Sequence, residues 1–117
     1  MADNQLVLLS KKLAVDVINL CEAMRNRGKA VAVINQLLRS GTSIGANIHE
    51  ANYASSKADF INKFRISLKE CFETEYWLDV FREAGIISQE EYDSVYAQCS
   101  KIRRLLIASI TTANDNN

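Results

Sequence analysis

The 117-residue sequence contains no proline and only four glycines. Proline interrupts helices because its ring clashes with the preceding turn and removes a hydrogen-bond donor. Average usage would give a chain of this length about six prolines, so their absence favours long uninterrupted helices. The sequence also lacks a signal peptide and any apolar run long enough to span a membrane, which predicts a cytoplasmic protein without a membrane partner.

The chain has no net charge, since 14 basic residues balance 14 acidic ones. The distribution is uneven, however. Residues 1–69 hold ten Lys and Arg against five Asp and Glu, a balance of +5, and residues 70–117 hold four against nine, a balance of −5. Such asymmetry indicates either an electrostatic partner surface or two solvated faces that attract each other within the fold or between subunits.

Residues for metal and nucleophilic chemistry are scarce. Cys21, Cys71 and Cys99 form no CxxC pair and fall on apolar helical stripes, which predicts buried free thiols. The single histidine, His49, lacks the glutamate three residues earlier that a di-metal bundle site needs. We interpret it as a surface or interface histidine, with one bound metal or a proton shuttle as the alternative. No phosphate loop or dinucleotide fingerprint is present, so we predict no enzyme activity, catalytic residue, metal, cofactor or small-molecule substrate.

Helical periodicity dominates the remaining signal. Four helices are predicted, and the first two cover about residues 5–27 and 29–52. The third runs from a capping box at Ser56 to a stop at Gly85, and the fourth begins at a second capping box at Ser88. The polar tail, 112–117, is expected to fray. Short links between long helices favour antiparallel neighbours. The sequence therefore predicts an all-α, antiparallel up-down-up-down four-helix bundle that forms a single domain over residues 1–117.

Gly41 and Gly45 lie one helical turn apart in the second predicted helix, where each glycine costs about 1 kcal/mol relative to alanine. Small residues at this spacing let two helix backbones approach closely. We therefore predict close helix packing at Gly41, Ser43, Gly45 and Asn47. The flanking Ser40, Ser43 and Asn47 are candidates for hydrogen bonds across to the third helix, with Glu70 and Glu73 as candidate partners by residue type. A ligand or phosphate that approaches the backbone is the alternative.

The third predicted helix carries a second apolar patch. On a helical wheel, Ile66, Trp77, Val80 and Ala84 lie roughly opposite the stripe that should face the core. A helix that is apolar on two faces contacts something on both. We therefore predict a homo-oligomer interface at these four residues, with singly exposed apolar residues as the alternative.

Clusters of basic residues provide candidate phosphate contacts. The candidates for nucleic-acid binding are Lys11, Lys12, Arg25, Arg27, Lys29, Lys63, Arg65 and Lys69. A further group, Lys101, Arg103 and Arg104, follows in the fourth predicted helix. Solvated helix ends account for the same residues, so both interpretations stay open at this stage.

Residues 39–51, Arg-Ser-Gly-Thr-Ser-Ile-Gly-Ala-Asn-Ile-His-Glu-Ala, resemble the core signature of the bacterial four helix bundle protein family. That family includes proteins encoded in intervening sequences of ribosomal RNA genes. The similarity continues through Lys57, Asp59 and Phe60 and through residues 67–78. It implies a four-helix bundle that commonly assembles as a homopentameric ring, with no catalytic residue to transfer. The matched positions with implied structural roles are Ser43, Asn47, Glu50, Glu70, Glu73 and Trp77.

A more distant branch of this family is the accessory protein of diversity-generating retroelements, which binds a reverse transcriptase and nucleic acid through a basic surface. The chain departs from that branch in having no net positive charge. We expect a non-enzymatic homo-oligomer, a pentamer by this resemblance, whose partners are itself and RNA, DNA or a reverse transcriptase. The alternative function is a protein–protein interaction scaffold with no nucleic-acid role.

Overall fold

A computed structural model describes residues 4–115, and all four predicted helices are present. They are α1 (Asn4–Asn26), α2 (Val31–Ala51), α3 (Lys57–Glu83) and α4 (Gln89–Asp115). Each helix contacts the next one in the chain, and α1 also contacts α4. The diagonal pairs, α1 with α3 and α2 with α4, make no such contact among the described residues. The predicted up-down four-helix bundle is confirmed.

Local sequence signals fix the ends of α3 and α4. Ser56 accepts a hydrogen bond from the backbone N–H of Asp59 at the start of α3, with an N···O distance of 3.1 Å. Ser88 and Glu91 form a reciprocal capping box at the start of α4, at 3.1 and 2.8 Å. At the end of α3, Gly85 takes a left-handed conformation, and the Ile86 N–H donates to the Phe81 carbonyl as in a Schellman motif.

Two boundaries differ from the prediction. α2 begins at Val31 and not near residue 29, because Gly28 and Ala30 both have positive φ angles and interrupt the helical path. α4 continues through Asp115, so residues 112–115, which we expected to fray, are helical. No glycine or proline stops the helix there. The last two residues of the predicted tail, 116 and 117, lie outside the described residues.

The core runs the length of a bundle that measures 49 × 20 × 19 Å. It consists mainly of aliphatic side chains, with Phe64 and Phe81 as the largest that are fully buried. Buried hydroxyls have partners: Ser67 donates to the Ile44 carbonyl at 2.8 Å, and Thr74 donates to the Ser40 hydroxyl at 2.9 Å. The amide oxygen of Gln98 is buried without a hydrogen-bond partner among the described residues. None of the four helices combines the length and apolar character that a membrane-spanning helix needs.

Candidate nucleic-acid and subunit interfaces

The eight predicted nucleic-acid contacts do not converge on one surface. Lys11 and Lys12 lie on α1, whereas Lys63, Arg65 and Lys69 lie on α3, the helix diagonally opposite. Arg25 is in the last turn of α1, and Arg27 and Lys29 follow it in the turn to α2. Because the diagonal helices face away from each other, the basic residues form at least two separate surfaces.

Four of the eight candidates have partners within the chain. Lys12 pairs with Asp16 at 2.7 Å, and Lys63 pairs with Glu50 at 3.0 Å. Arg25 donates a hydrogen bond to the Asn35 side chain. Arg27 donates to the Ile86 carbonyl at 2.8 Å and pairs with Glu91 at 2.6 Å, so it joins the α1–α2 turn to the α3–α4 turn at one end of the bundle. These contacts give the four residues roles within the fold.

The other four candidates, Lys11, Lys29, Arg65 and Lys69, are exposed and have no ion pair or side-chain hydrogen bond among residues 4–115. Arg65 and Lys69 are four residues apart on α3, so their side chains lie on the same face. Lys11 and Lys29 lie on other parts of the molecule. The structure therefore leaves one adjacent pair of cations available to an external anion.

Two exposed aromatic rings continue the line of these cations along α3. Phe72 is 52% exposed and Tyr76 is 58% exposed. The guanidinium carbon of Arg103 on α4 lies 5.6 Å from the centre of the Phe72 ring. We call Arg65, Lys69, Phe72, Tyr76 and Arg103 the aromatic–basic face. The sequence analysis missed its rings, although the steps of 4, 3 and 4 residues from Arg65 to Tyr76 place these side chains on one stripe.

The predicted oligomer patch is less exposed than the helical wheel suggested. Ile66 and Ala84 are exposed, but Trp77 and Val80 are half-buried and pack against the core. The Trp77 ring stacks on Phe81 with centroids 6.0 Å apart. A wheel gives the direction of a Cα–Cβ bond, and a long side chain can still fold back against the neighbouring helix. Trp77 and Val80 therefore do not point fully outward as the helical wheel predicted, because each is partly covered by the core.

A larger set of exposed aliphatic side chains lies on α1. Leu8 is 69% exposed, and Val15 and Ile18 are about half exposed. Their spacing of seven and three residues puts them on one stripe, which we call the α1 outer face. Because α1 is diagonal to α3, this face and the aromatic–basic face point in different directions.

The two glycines of α2 lie against α1. A Cβ atom at Gly41 would be 2.8 Å from both Cγ atoms of Val17, and one at Gly45 would be 3.2 Å from the Ser10 carbonyl oxygen. The α1 and α2 backbones therefore approach closely at both glycines.

Ser40, Ser43 and Asn47 were expected to bond across to α3. Ser40 does so, because its hydroxyl accepts a hydrogen bond from Thr74 at 2.9 Å. The side chains of Ser43 and Asn47 instead donate to carbonyls of α2 itself, at 2.7 and 2.9 Å.

Arg39, a residue the sequence analysis did not single out, connects α2 to α3. Its guanidinium pairs with Glu70 at 3.2 Å and also with Glu73. Glu73 in turn accepts a hydrogen bond from the Trp77 indole at 3.2 Å. The Arg39 contact holds the pKa of Glu73 below its ordinary value. Arg39 carries a single positive charge, so it offsets only one of these two carboxylates, which adjoin the aromatic–basic face.

Of the remaining candidates for chemistry in the described chain, only Cys71 and Cys99 are hydrogen-bonded to each other, since the Cys99 thiol donates to the Cys71 carbonyl at 3.4 Å. Cys21, Cys71 and Cys99 are buried, and desolvation raises the pKa of the Cys21 thiol to about 11. His49 is exposed, and its ring lies 5.4 Å from that of Tyr53. Within residues 4–115, no three Cys, His, Asp or Glu side chains are grouped so that they could hold a metal ion.

A family model described as 23S rRNA-intervening sequence protein matches residues 2–108. The chain belongs to this family. The match spans nearly all of the bundle and includes both α1 and the aromatic–basic face of α3.

A solved structure shows the same fold in a related family protein. A protein of unknown function from the S23 ribosomal protein family of Bacteroides thetaiotaomicron is 46% identical to this family member, with a TM-score of 0.90. The similarity covers 95% of this chain and 99% of that one. None of the curated proteins matches the sequence.

Proposed function

We propose that this protein is a non-enzymatic, homo-oligomeric nucleic-acid-associated protein that contacts phosphate through unpaired cations on its surface. The observation that carries the proposal is the adjacent pair Arg65 and Lys69, exposed on one face of α3 and without a carboxylate within 4 Å in the described chain. Glu73 acts on Lys69 only at longer range. The printed name of the family, which refers to 23S ribosomal RNA, supports the same interpretation.

Local charge, more than net charge, determines whether phosphate binds here. A cation already paired with a carboxylate must give up that contact before it binds phosphate, whereas Arg65 and Lys69 need only release solvent and counterions. The nearby carboxylates Glu70 and Glu73 are engaged by Arg39. Arg39, Arg65 and Lys69 together outnumber these two carboxylates by one, so this part of the surface keeps a local balance of +1 on a chain whose total charge is zero.

Self-association is the second part of the proposal. The α1 outer face exposes three large aliphatic side chains in one stripe, and exposed apolar clusters of this kind commonly mark protein interfaces. Contact between this face and a different face of a second copy forms a closed ring when the rotation permits. A ring of five is the assembly that the family resemblance implies, and it would repeat each basic patch around its circumference and increase avidity.

The alternative is a protein-binding scaffold that uses the same exposed apolar side chains without nucleic acid. A reverse transcriptase is the protein partner that the resemblance to the distant branch implies, under either function. The Arg65 and Lys69 pair favours the nucleic-acid function, because an apolar protein partner would have to cover two unpaired charges at a cost of several kcal/mol.

A salt series tests the proposal. Binding of labelled RNA and DNA oligonucleotides to the purified protein is measured by fluorescence anisotropy from low to physiological salt, with the oligomer mass measured by light scattering. We expect affinity to fall steeply with salt. Lys69→Gln should weaken binding and reduce the slope of log K against log salt by about 0.7 to 0.9.

Lys101→Gln is the matched control. Lys101 is also an exposed lysine of a long helix without an ion pair in the described chain. It lies one turn from Gln98, which bonds to Asp16 of α1, and so on the side of α4 away from α3. Equal losses in the two variants would show that the cations act only as general charge. Absence of binding at low salt would remove the nucleic-acid function and leave the scaffold.

A further inference from the structure

The aromatic–basic face combines two chemical functions in one stripe. Arg65 and Lys69 occupy one half of it, and the exposed rings of Phe72 and Tyr76 occupy the other. With a helical rise of 1.5 Å per residue, the stripe from Arg65 to Tyr76 is about 16 Å long. That length spans about five nucleotides at the 3.4 Å spacing of a stacked strand.

We propose that this face is a stacking platform for single-stranded nucleic acid, in which the cations hold phosphates and the rings of Phe72 and Tyr76 stack on unpaired bases. The inference rests on the proposed function and specifies its surface and its ligand. Exposed aromatic rings beside a basic track are the elements from which sequence-tolerant single-strand sites are built.

The contacts of each ring leave it able to receive a base. Phe72 has the Arg103 guanidinium near one side at 5.6 Å, and the ring is still half exposed. Tyr76 contacts Trp77 edge-on, with centroids 5.0 Å apart, and this contact orients the tyrosine ring while most of its surface stays open. Arg103 is itself fixed by Glu75 at 2.8 Å, so the platform is supported by α4.

A single strand suits this face better than a duplex or a second copy of the chain. In a duplex the bases are stacked on one another, so the rings would contribute little. The α1 outer face of a second copy carries one exposed lysine, Lys11, and one exposed glutamate, Glu22, because Lys12 is paired with Asp16. It therefore offers the cations of the aromatic–basic face no net negative charge, whereas a phosphate backbone does.

The test compares ring removal on and off the platform. Phe72→Leu combined with Tyr76→Leu removes both rings and keeps apolar, helix-compatible side chains. Tyr53→Leu is the control, because Tyr53 is 77% exposed but lies beyond the end of α2. Each protein is titrated into a labelled 15-nucleotide oligo-dT, the corresponding oligo-U and a duplex of equal length.

We expect the double variant to bind both single strands at least tenfold more weakly, since stacking contributes about 1–3 kcal/mol per base. Duplex binding should change less than about twofold, and Tyr53→Leu should match wild type. Trp77, the only tryptophan, provides a second readout because it contacts Tyr76. Single strands should quench its fluorescence in wild type and in Tyr53→Leu.

The outcomes separate this inference from the function on which it rests. If wild type binds no nucleic acid at low salt, the proposed function fails. If wild type binds and the double variant binds single strands equally well, only the stacking platform is overturned. A double variant with normal helicity but a smaller oligomer mass would instead make this face a contact between copies, which also overturns the inference.

Discussion

The two faces of α3 carry similar kinds of side chain in different surroundings. On the inner face, Phe64 is 1% exposed and Thr74 has a hydroxyl partner across the helix interface. On the outer face, Phe72 is half exposed and Lys69 has no ion pair among the described residues. The inner face contributes to the stability of the bundle. The outer face carries side chains that are available to contact another molecule.

The largest predicted difference in the free energy of unfolding is between two phenylalanine-to-alanine variants, one on the inner face of α3 and one on the outer face. Phe64→Ala should lower the free energy of unfolding by about 3–5 kcal/mol, because it removes a buried ring and leaves a cavity. Phe72→Ala should lower it by only about 1 kcal/mol, because that ring is already half exposed and its removal leaves no enclosed cavity. Urea unfolding followed by circular dichroism, at one fixed protein concentration, measures both. Similar losses would show that Phe72 is covered in solution, as in a subunit contact.

A smaller effect on the free energy of unfolding is expected at the crossing of α1 and α2, which is part of the packed core. Alanine at Gly41 gains about 1 kcal/mol of helix propensity. Its Cβ, however, meets both methyl groups of the stiff, buried Val17 at 2.8 Å, and such overpacking costs about 1–3 kcal/mol. We expect a net loss of about 1 kcal/mol in thermal or urea unfolding.

Ser43→Ala is the control for Gly41→Ala on the same helix. Ser43 donates only to the Arg39 carbonyl of its own helix, so its replacement should change the unfolding free energy by less than about 0.5 kcal/mol. Gly41→Ala with wild-type stability would mean that α1 and α2 separate easily, and the glycines would then be open to a ligand.

The smallest effect is the acid dependence of stability. Hydrogen bonds from Arg39 and Arg27 lower the pKa values of Glu73 and Glu91 in the folded state. Their contribution is therefore present above the unfolded value near 4.5 and is lost as the pH falls through the lower folded values. Each pair should contribute less than about 1 kcal/mol because it is partly solvated.

Replacing Glu91 with Gln should reduce the acid dependence of the urea midpoint between pH 5 and pH 3. Glu90→Gln is the neighbouring control, because Glu90 is exposed and has no ion pair within residues 4–115. An acid slope that Glu91→Gln leaves intact would assign the dependence to other carboxylates.

The sequence predicted the fold because its local and global signals agree. The apolar periodicity, the caps at Ser56 and Ser88 and the stop at Gly85 all mark the same four helices. The predicted start of α2 was wrong because Ala30 adopts a left-handed conformation, which is rare for alanine and cannot be predicted from the residue type. The continuation of α4 was missed because its polar residues suggested fraying.

The candidate surfaces were harder to predict because exposure depends on which neighbouring helix covers a side chain. Trp77 lies on the outer half of the wheel but packs back on Phe81. Phe72 resembles a core residue by type, yet no helix covers it fully. The Arg27–Glu91 pair could not be predicted either, because its partners are 64 residues apart in the sequence and meet only in the folded bundle.

Photo-crosslinking tests most directly the claim that the outer face of α3 binds nucleic acid. A single-stranded oligonucleotide with a photoreactive base is irradiated with the wild-type protein, and the modified residues are identified by mass spectrometry. We expect the adducts at Phe72 and Tyr76, with loss of both when salt is raised. Adducts confined to α1 or to the turns at the ends of the bundle would contradict the claim.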